Sequence, residues 1–252
     1  MKLYLVNGES IITEDMCDTD NLLQTFFSMN KKEISLMKRF IERRGVDNFI
    51  LDSGAFSLFN GVKKLDYSGL KTYIDNYCDF IIKHKITQFL EMDIDAIIGY
   101  EEVKKINKYI EGRVGKKPIY VFHHETRDKK DLIEAMKESD YIFWGGIAKG
   151  GVSSKEAAQS FINEAFSHGC KVHMLGYTPM DLDQFKNLYS CDSSSWTMGG
   201  RAGNIFQFTN NKMEAMKLSD KKRITFYELN NHNFNQWLKY QEYLKNKGWI
   251  TE

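Results

Sequence analysis

Short apolar segments alternate with amphipathic segments along almost the whole chain, and this alternation restricts the fold more than any other feature. The apolar segments, each of a length typical of a buried strand, are 2-KLYLV-6, 22-LLQTFF-27, 49-FILD-52, 88-QFLEMD-93, 118-PIYVFHH-124, 141-YIFWGG-146, 171-KVHMLG-176 and 188-LYSCD-192. In 31–44 and 67–84, which lie between such segments, apolar residues recur at the spacing of one helix face. Strands that alternate with helices form right-handed βαβ units and therefore a parallel sheet.

Eight candidate strands in 252 residues favour an α/β fold of the (β/α)8 TIM-type barrel. A doubly wound open sheet is the alternative, although no GxGxxG sequence follows the first strand. We expect a single domain over residues 1–252. Its barrel core is expected at about 1–210, and a short helical tail at about 211–252 is expected to pack against the barrel.

The composition disfavours several classes of protein. The chain is 42% hydrophobic with a net charge of +1, so its overall field gives little attraction for a polyanion. No apolar run approaches the roughly 18 residues of a membrane span, and the first ten residues lack the apolar core of a secretory signal. The four cysteines contain no CxxC pair, which disfavours a disulfide framework and a structural zinc knuckle. We expect a cytoplasmic protein with no membrane partner.

Six consecutive apolar segments end in polar or glycine residues. These ends read Asp52-Ser53-Gly54, Asp93 with Asp95, His123-His124-Glu125, Gly145-Gly146, His173 through Gly176, and Cys191-Asp192. One such end could be an ordinary turn. In a barrel, however, all strands end on one face, where catalytic residues gather. The six ends together therefore predict a shared site.

Two carboxylates on different strands suit displacement at an electrophilic carbon, because one can attack while the other transfers a proton. A glycine pair at a strand end exposes backbone N–H groups and leaves space for a flat ligand. These features indicate an enzyme that acts on a glycosidic bond or binds a nucleobase. A metal-dependent barrel hydrolase is the alternative, since His and Asp at strand ends also bind metals. The first strand has no HxH sequence and no carboxylate–histidine ligand set is evident, so we expect no metal and no cofactor.

The motifs at these strand ends resemble those of the tRNA-guanine transglycosylase superfamily. The matching stretches are DSGAF (52–56), EMD with Asp93, GGIA (145–148), MLGYTP (174–179) and CD (191–192). The family has approximately DSGGF, FDE, GGLA, MGVGTP and FDC at the corresponding ends, and 24-QTFF-27 is similar to its NTYHL strand. The order and spacing agree from about residue 22 to 192, and each motif alone is weak.

The resemblance implies a (β/α)8 barrel enzyme that exchanges a guanine in nucleic acid for a 7-deazaguanine base. It implies that Asp192 is the nucleophile, which attacks C1′ of the target nucleoside and expels guanine. It implies that Asp52 is the general acid/base for the leaving and entering bases. Two inversions through a covalent glycosyl-aspartate would preserve the anomeric configuration.

With this resemblance, we expect a set of residues around the base. They are Ser53, Asp93, His123, Gly145, Gly146, Gly176 and Tyr177. Asp93 would bind the guanine-like edge, and Gly145–Gly146 would offer backbone contacts. His123 stands where the family usually has a glutamine, so its contact with the base is not implied by the family pattern. Tyr177 follows the MLG turn, from which it could flank the base.

This sequence departs from the tRNA-modifying members of the family at two places. Those enzymes hold a structural zinc after the barrel with clustered cysteines and a histidine, whereas no cysteine follows Cys191 here. The family's PTR segment after the nucleophile is replaced by 193-SSSWTMGGR-201. The resemblance is therefore closest to the DpdA-type enzymes of phages and bacteria, which place a 7-deazaguanine such as preQ0 into DNA.

The expected partners are thus DNA, with tRNA as the alternative, and a 7-deazaguanine base. The expected location is the cytoplasm, which would be the host cytoplasm for a phage protein. A module that binds a base without catalysis is a further alternative, which the presence of both Asp52 and Asp192 disfavours. The oligomeric state stays open.

Overall fold

A computed structural model describes residues 1–6, 14–55, 57, 67–147, 155–198, 202–217 and 224–248. Its centre is a parallel sheet of seven strands: β1 (Lys2–Val6), β2 (Leu22–Thr25), β3 (Phe49–Asp52), β4 (Val121–Phe122), β5 (Tyr141–Trp144), β6 (Lys171–Met174) and β7 (Ser190–Ser193). The strand order is β3-β2-β1-β7-β6-β5-β4. Strands β1 and β7, which are the first and the last of these seven along the chain, are neighbours in the sheet, as in a curled sheet. Seven of the eight predicted strands are confirmed.

The remaining predicted strand, 88–93, forms isolated bridges in place of a regular strand. Phe89 makes a parallel bridge to Leu51 of β3, and Leu90 makes one to Ile119, just before β4. This segment therefore contacts both edges of the seven-stranded sheet. The protein is an α/β fold with a curled parallel sheet and a C-terminal helix, which is compatible with a TIM-like barrel.

Helices connect most of the strands. They are α1 (Lys31–Arg44), α2 (Tyr67–His84), α3 (Asp95–Ile98), α4 (Tyr100–Val114), α5 (Lys129–Glu138), α6 (Lys155–Ser167) and α7 (Phe226–Lys247). The helical patterns at 31–44 and 67–84 are confirmed with those bounds. At the start of α1, the Asn30 side chain accepts backbone N–H groups of the first turn, and Glu33 returns a hydrogen bond to the Asn30 N–H. Such a capping box satisfies N–H groups that have no partner inside the helix.

Side chains that alternate along each strand belong to two separate hydrophobic cores, one on each face of the sheet. Leu3 and Leu5 of β1 belong to the large core that the helices cover. Tyr4, between them, belongs to a smaller cluster on the opposite, concave side. Successive residues of a strand point to opposite faces, so one residue from each neighbouring segment enters this cluster. Its buried members are Tyr4, Leu23, Ile50, Leu90, Val121 and Phe143.

The C-terminal region differs in part from the helical tail expected from about residue 211. Strands β8 (Asn204–Thr209) and β9 (Lys212–Lys217) form an antiparallel hairpin, so the expectation is wrong for residues 212–217. Both turn residues, Asn210 and Asn211, have positive φ, which asparagine tolerates and a two-residue hairpin turn requires. The helical part of the tail is α7.

Helix α7 packs against the sheet as expected. Its large apolar side chains, Phe234, Trp237, Tyr240 and Leu244, are fully buried. The Gln241 amide donates to the Leu3 carbonyl at 2.6 Å and its oxygen accepts the Asp20 N–H at 2.8 Å. These bonds tie the helix to β1 and to the loop before β2. Within the described ranges, no helix has the length and apolar character needed to cross a membrane.

Candidate active site

Asp52 is the last residue of β3, and two neighbours hold its carboxylate. The Thr25 hydroxyl donates to Oδ2 at 3.0 Å, and the Gly54 N–H donates to Oδ1 at 3.2 Å. Thr25 and Asp52 are register partners across β2 and β3, so the sheet itself places the hydroxyl opposite the carboxylate. Asp52 keeps partial exposure to solvent, at the edge of the sheet where the parallel strands end.

The pKa of Asp52 is raised to about 7. Burial is the largest cause, followed by the negative charge of Asp93. Hydrogen bonds from Gly54 and Thr25 oppose the rise, and Asp192 adds a smaller repulsion. The three aspartates predicted for the site are thus close enough to interact. A carboxyl group with this pKa is present in both protonation states near neutral pH, which suits a general acid/base.

The turn after β3 requires the glycine of the DSG sequence. Gly54 has a φ of +68°, and a Cβ on it would lie 2.5 Å from the Cβ of Phe27. Ser53, predicted to line a base pocket, is fully buried. Its hydroxyl accepts the Ala55 N–H at 3.4 Å, and its carbonyl accepts the Tyr73 hydroxyl at 2.6 Å. The described contacts of Ser53 are therefore with the turn itself and with Tyr73 of α2.

Asp93 and His123 come from neighbouring segments and approach each other at the same edge of the sheet. His123 Nε2 lies 3.4 Å from Asp93 Oδ2, but the geometry is not that of a hydrogen bond. Nε2 is buried and has no hydrogen-bond partner among the described residues. Buried polar atoms are rarely left without partners, so this nitrogen beside a carboxylate is a good candidate for contact with a polar ligand.

The Gly145–Gly146 pair makes room for the His123 ring. A Cβ on Gly145 would lie 2.4 Å from His123 Cε1, and Gly146 has a φ of +76°. The structure thus gives the pair a role that the sequence did not suggest: because Gly145 has no side chain, the His123 ring can lie directly against its backbone. The predicted backbone contact with a base stays a prediction. Ala148, the last residue of the GGIA motif, lies outside the described residues.

Asp192 lies on β7 and is only 5% exposed. Two groups contact its Oδ1: His173 Nε2 at 3.0 Å and the Gly176 N–H at 2.7 Å. Both contacts are to Oδ1, and no described residue forms a hydrogen bond with Oδ2.

The turn after β6 is tied to β7. Gly176 has a φ of +65° and directs its N–H at Asp192, and its place beside a base stays a prediction. The Thr178 hydroxyl donates to the Asp192 carbonyl. Tyr177 is partly buried and packs against the large core, and its place beside a base stays a prediction.

The sequence reasoning missed an ion cluster that joins two loops of the site. Arg127 has a fully buried side chain and binds Glu91 and Asp95, whose side chains are also buried. The Arg127 guanidinium contacts two rings and lies 4.4 Å from the centre of Tyr100 and 4.8 Å from that of Tyr120. The cluster thus joins the loop after His123 to the segment that carries Asp93.

The charges of this cluster support one another. Burial by itself would lower the pKa of Arg127, but Glu91 and Asp95 outweigh it and hold the pKa above its ordinary value. Burial likewise opposes ionisation of Asp95, but Arg127 lowers the pKa of that carboxyl below its usual range. The sequence signal was limited to acidic residues at alternate positions in 91-EMDID-95 and one arginine after 123-HHET-126.

No metal site is evident in the part of the chain that the structure describes, since no group of three or more His, Cys, Asp or Glu side chains is placed to hold an ion. The four cysteines, Cys17, Cys78, Cys170 and Cys191, are buried free thiols. Asp52, Asp93, His123 and Asp192 therefore form a site of carboxylates and an imidazole at the ends of parallel strands.

A scan of the sequence against models of protein families gives no match, and a search of curated proteins gives none either.

Proposed function

We propose that this protein is a nucleic-acid guanine transglycosylase that exchanges guanine for a 7-deazaguanine base such as preQ0, in DNA rather than in tRNA. The observation that carries the proposal is the difference between two carboxylates at one sheet edge. Asp52 has a pKa raised to about 7, and Asp192 has one oxygen fixed by two partners. Two carboxyl groups in unlike environments suit a proton-transfer group and a nucleophile.

The proposal includes a complete (β/α)8 barrel in which 88–91 is the eighth strand. Backbone hydrogen bonds support this on both sides of the segment. Leu90 donates to the Leu51 carbonyl at 2.9 Å, and Glu91 donates to the Ile119 carbonyl at 3.1 Å. With 88–91 counted as a strand, each of the eight strands has two parallel neighbours, as barrel closure requires.

The reaction would take place in two halves. In the first, Asp192 Oδ2 forms a bond to C1′ while the C1′–N9 bond breaks. The electron pair of the C1′–N9 bond leaves with guanine, and guanine takes a proton from Asp52. In the second, N9 of the 7-deazaguanine attacks C1′ and gives its proton back to Asp52, and the C1′–Oδ2 electron pair returns to Asp192. The two inversions retain the configuration at C1′.

Asp93 and His123 would bind the polar edge of the base. A carboxylate accepts the N–H groups of a guanine-like edge. The unpartnered His123 Nε2 can contact a further polar atom of the same edge, in place of the family's usual glutamine. The target nucleotide must be unpaired or flipped out, because C1′ and the base cannot be reached within a stack.

The choice of DNA rests on the sequence after the nucleophile. Residues 192–252 contain no cysteine, and 193-SSSWTMGGR-201 stands where the family's tRNA-modifying enzymes have their PTR segment. The part of this stretch beyond residue 198 lies outside the described residues. These two departures from the tRNA-modifying enzymes favour DNA.

Nucleoside mass spectrometry tests the proposal. DNA and tRNA are isolated from cells that express the protein together with a supply of 7-deazaguanines, and purified protein is incubated with each nucleic acid and each base. We expect a 7-deazaguanine nucleoside in DNA, and none with the Asp192→Asn variant. Modification in tRNA alone would refute the choice of DNA, and unchanged exchange by Asp192→Asn would refute the assigned nucleophile.

A further inference from the structure

A continuous line of polar side chains runs inside the curled sheet from its N-terminal end to Asp192. The Tyr141 hydroxyl, at the start of β5, lies 2.7 Å from Ser190 Oγ at the start of β7. Ser190 Oγ lies 2.9 Å from His173 Nδ1, and His173 Nε2 lies 3.0 Å from Asp192 Oδ1. His173 and Ser190 are fully buried. Nothing in the proposed reaction so far uses these three residues.

The chemistry of each group sets the direction of the hydrogen bonds. An ionised carboxylate only accepts, so Nε2 of His173 carries the hydrogen. Burial lowers the pKa of His173, against the opposing effect of Asp192, and the ring is therefore neutral near pH 7. In a neutral ring Nδ1 accepts, and two hydroxyls are within reach of it: Ser190 Oγ at 2.9 Å and Tyr141 Oη at 3.3 Å. Whichever of the two donates to Nδ1, Nε2 donates to Asp192.

The orientation of His173 is fixed by packing as well. Its ring stacks on Phe143 at a centroid distance of 4.0 Å and an interplanar angle of 11°. Tyr4 contacts the ring from β1 at 5.7 Å. The charged or titratable groups that face His173 are thus Asp192, Tyr141 and Tyr4, which come from three different strands.

A serine, a histidine and an aspartate in this order resemble a hydrolase triad, but the exposed end is the opposite one. Ser190 is fully buried, whereas Asp192 lies nearest the edge of the sheet where the strands end. A buried hydroxyl cannot reach a substrate carbonyl. We therefore assign the line the role of orienting the Asp192 carboxylate.

We propose that His173 is a positioning residue: together with the Gly176 N–H it holds Asp192 Oδ1, so that Oδ2 attacks C1′ and the carboxylate is released readily from the glycosyl ester. This inference rests on the proposed function. In the ester, Oδ1 becomes the carbonyl oxygen and keeps both donors. When the C1′–Oδ2 bond breaks, negative charge returns to the carboxylate, and the two donors stabilise it. Donors aimed at developing charge are effective because they are already oriented.

The two half-reactions should therefore respond differently to loss of the His173 donor. Loss of the donor lets the carboxylate turn, which slows attack by Oδ2, but it also leaves more charge on the carboxylate and makes it a better nucleophile. These two effects oppose each other, so the ester should form at a similar rate. In ester breakdown the carboxylate is a poorer leaving group, so that step should slow. A purely structural role of His173 would lower both rates together.

The test compares His173→Phe, which keeps a ring against Phe143 but has no N–H donor, with the wild type in single turnover on DNA. The covalent protein–DNA ester is followed on denaturing gels, and base entry by mass spectrometry. We expect ester breakdown to slow about 100- to 1,000-fold, with accumulation of the ester. His173→Gln, whose amide can donate to Oδ1, should recover part of the rate. His168→Phe, at an exposed position, is the matched control and should behave as wild type.

A second measurement does not depend on activity or on a folded variant. Nitrogen-15 NMR of the histidine rings of the wild-type protein should show His173 neutral at pH 7 with the hydrogen on Nε2. The hydrogen on Nδ1 would overturn the inference, and so would equal slowing of both half-reactions in His173→Phe without accumulation of ester. A failure of the proposed function is distinguishable, because then the wild type forms no ester with DNA or tRNA, and the catalytic role falls with it.

Discussion

Two buried polar clusters lie beneath the ends of the strands, and they treat their carboxylates in opposite ways. Around Asp192 the partners are neutral: an imidazole and a backbone N–H, which both contact Oδ1. Around Arg127 the partner is a cation, and every carboxylate oxygen of Glu91 and Asp95 is used by a guanidinium, a hydroxyl, an amide or a backbone N–H. In the first cluster no described residue forms a hydrogen bond with Asp192 Oδ2. In the second, no oxygen of Glu91 or Asp95 lacks a hydrogen bond.

The difference indicates a division of work. Neutral donors orient a carboxylate without cancelling its charge, so the group can still attack an electrophile. A buried cation cancels the charge and fixes the loop, which suits structural support. We therefore expect the Arg127 cluster to govern stability and the His173 line to govern reactivity.

Arg127→Met should cause the largest loss of stability, about 3–5 kcal/mol, because it leaves Glu91 and Asp95 buried without their cation. Urea denaturation measures the effect. Arg113→Met is the matched control, since Arg113 binds Asp75 and Asp79 with a side chain that is 37% exposed, and exposed pairs contribute about 0–1 kcal/mol.

A triple variant sharpens this result. Replacing Glu91 by Gln and Asp95 by Asn in the Arg127→Met background removes the unpaired charges, so it should recover part of the lost stability. If Arg127→Met lost no more stability than Arg113→Met, the cluster would not be the structural support that its burial indicates.

The strands and helices with strong periodicity could be predicted from the sequence. The segment 49-FILD-52 and the helical stripe at 67–84 match β3 and α2, because a local apolar pattern was enough. The pattern in 212-KMEAMK-217 was too polar to be recognised as a strand. There the Asn210-Asn211 turn and the pairing with β8 determine the structure.

The positions of Asp52 and Asp192 at strand ends could be predicted from the sequence, but the hydrogen-bond partners of their side chains could not. Asp52 and Asp192 stand at strand ends, and that position is visible in the sequence. The partners of the site residues are not, because they lie far apart along the chain: Arg127 and Glu91 are 36 residues apart. His173, in the middle of a strand, carried no signal that its ring faces Asp192.

Gly145→Ala should lower stability by about 1–3 kcal/mol, since its Cβ would overlap the His123 ring and force the ring to move. Denaturation measures the stability, and NMR of the His123 ring detects the displacement. The double variant with His123→Ala removes the overlap and should recover most of the loss. An equal loss in the double variant would show that the glycine is needed for its backbone instead.

Asp52→Asn should change the pH dependence of stability. Because the folded pKa of Asp52 is raised from 3.8 to about 7, its contribution is fully present below pH 3.8 and is lost as pH rises through 7. The variant cannot ionise, so relative to wild type it should gain up to about 4 kcal/mol between pH 4 and pH 8, at about 1.4 kcal/mol for each unit of difference in pKa. Denaturation at both pH values measures this. Asp79→Asn, at a side chain 65% exposed, is the control and should show no such gain. If the stability difference between Asp52→Asn and wild type did not change with pH, the raised pKa would be contradicted.

Tyr141→Phe should have the smallest effect, about 1 kcal/mol, which is typical of one neutral hydrogen bond. Burial raises the pKa of Tyr141, so its hydroxyl stays protonated beside Ser190 and His173, and the variant removes this hydroxyl without leaving a charge unpaired. Tyr109→Phe, at an exposed tyrosine that binds Asp75, is the control. A loss as large as that of Arg127→Met would mean that the neutral line carries stability as the ion cluster does, and the division of work between the two clusters would not hold.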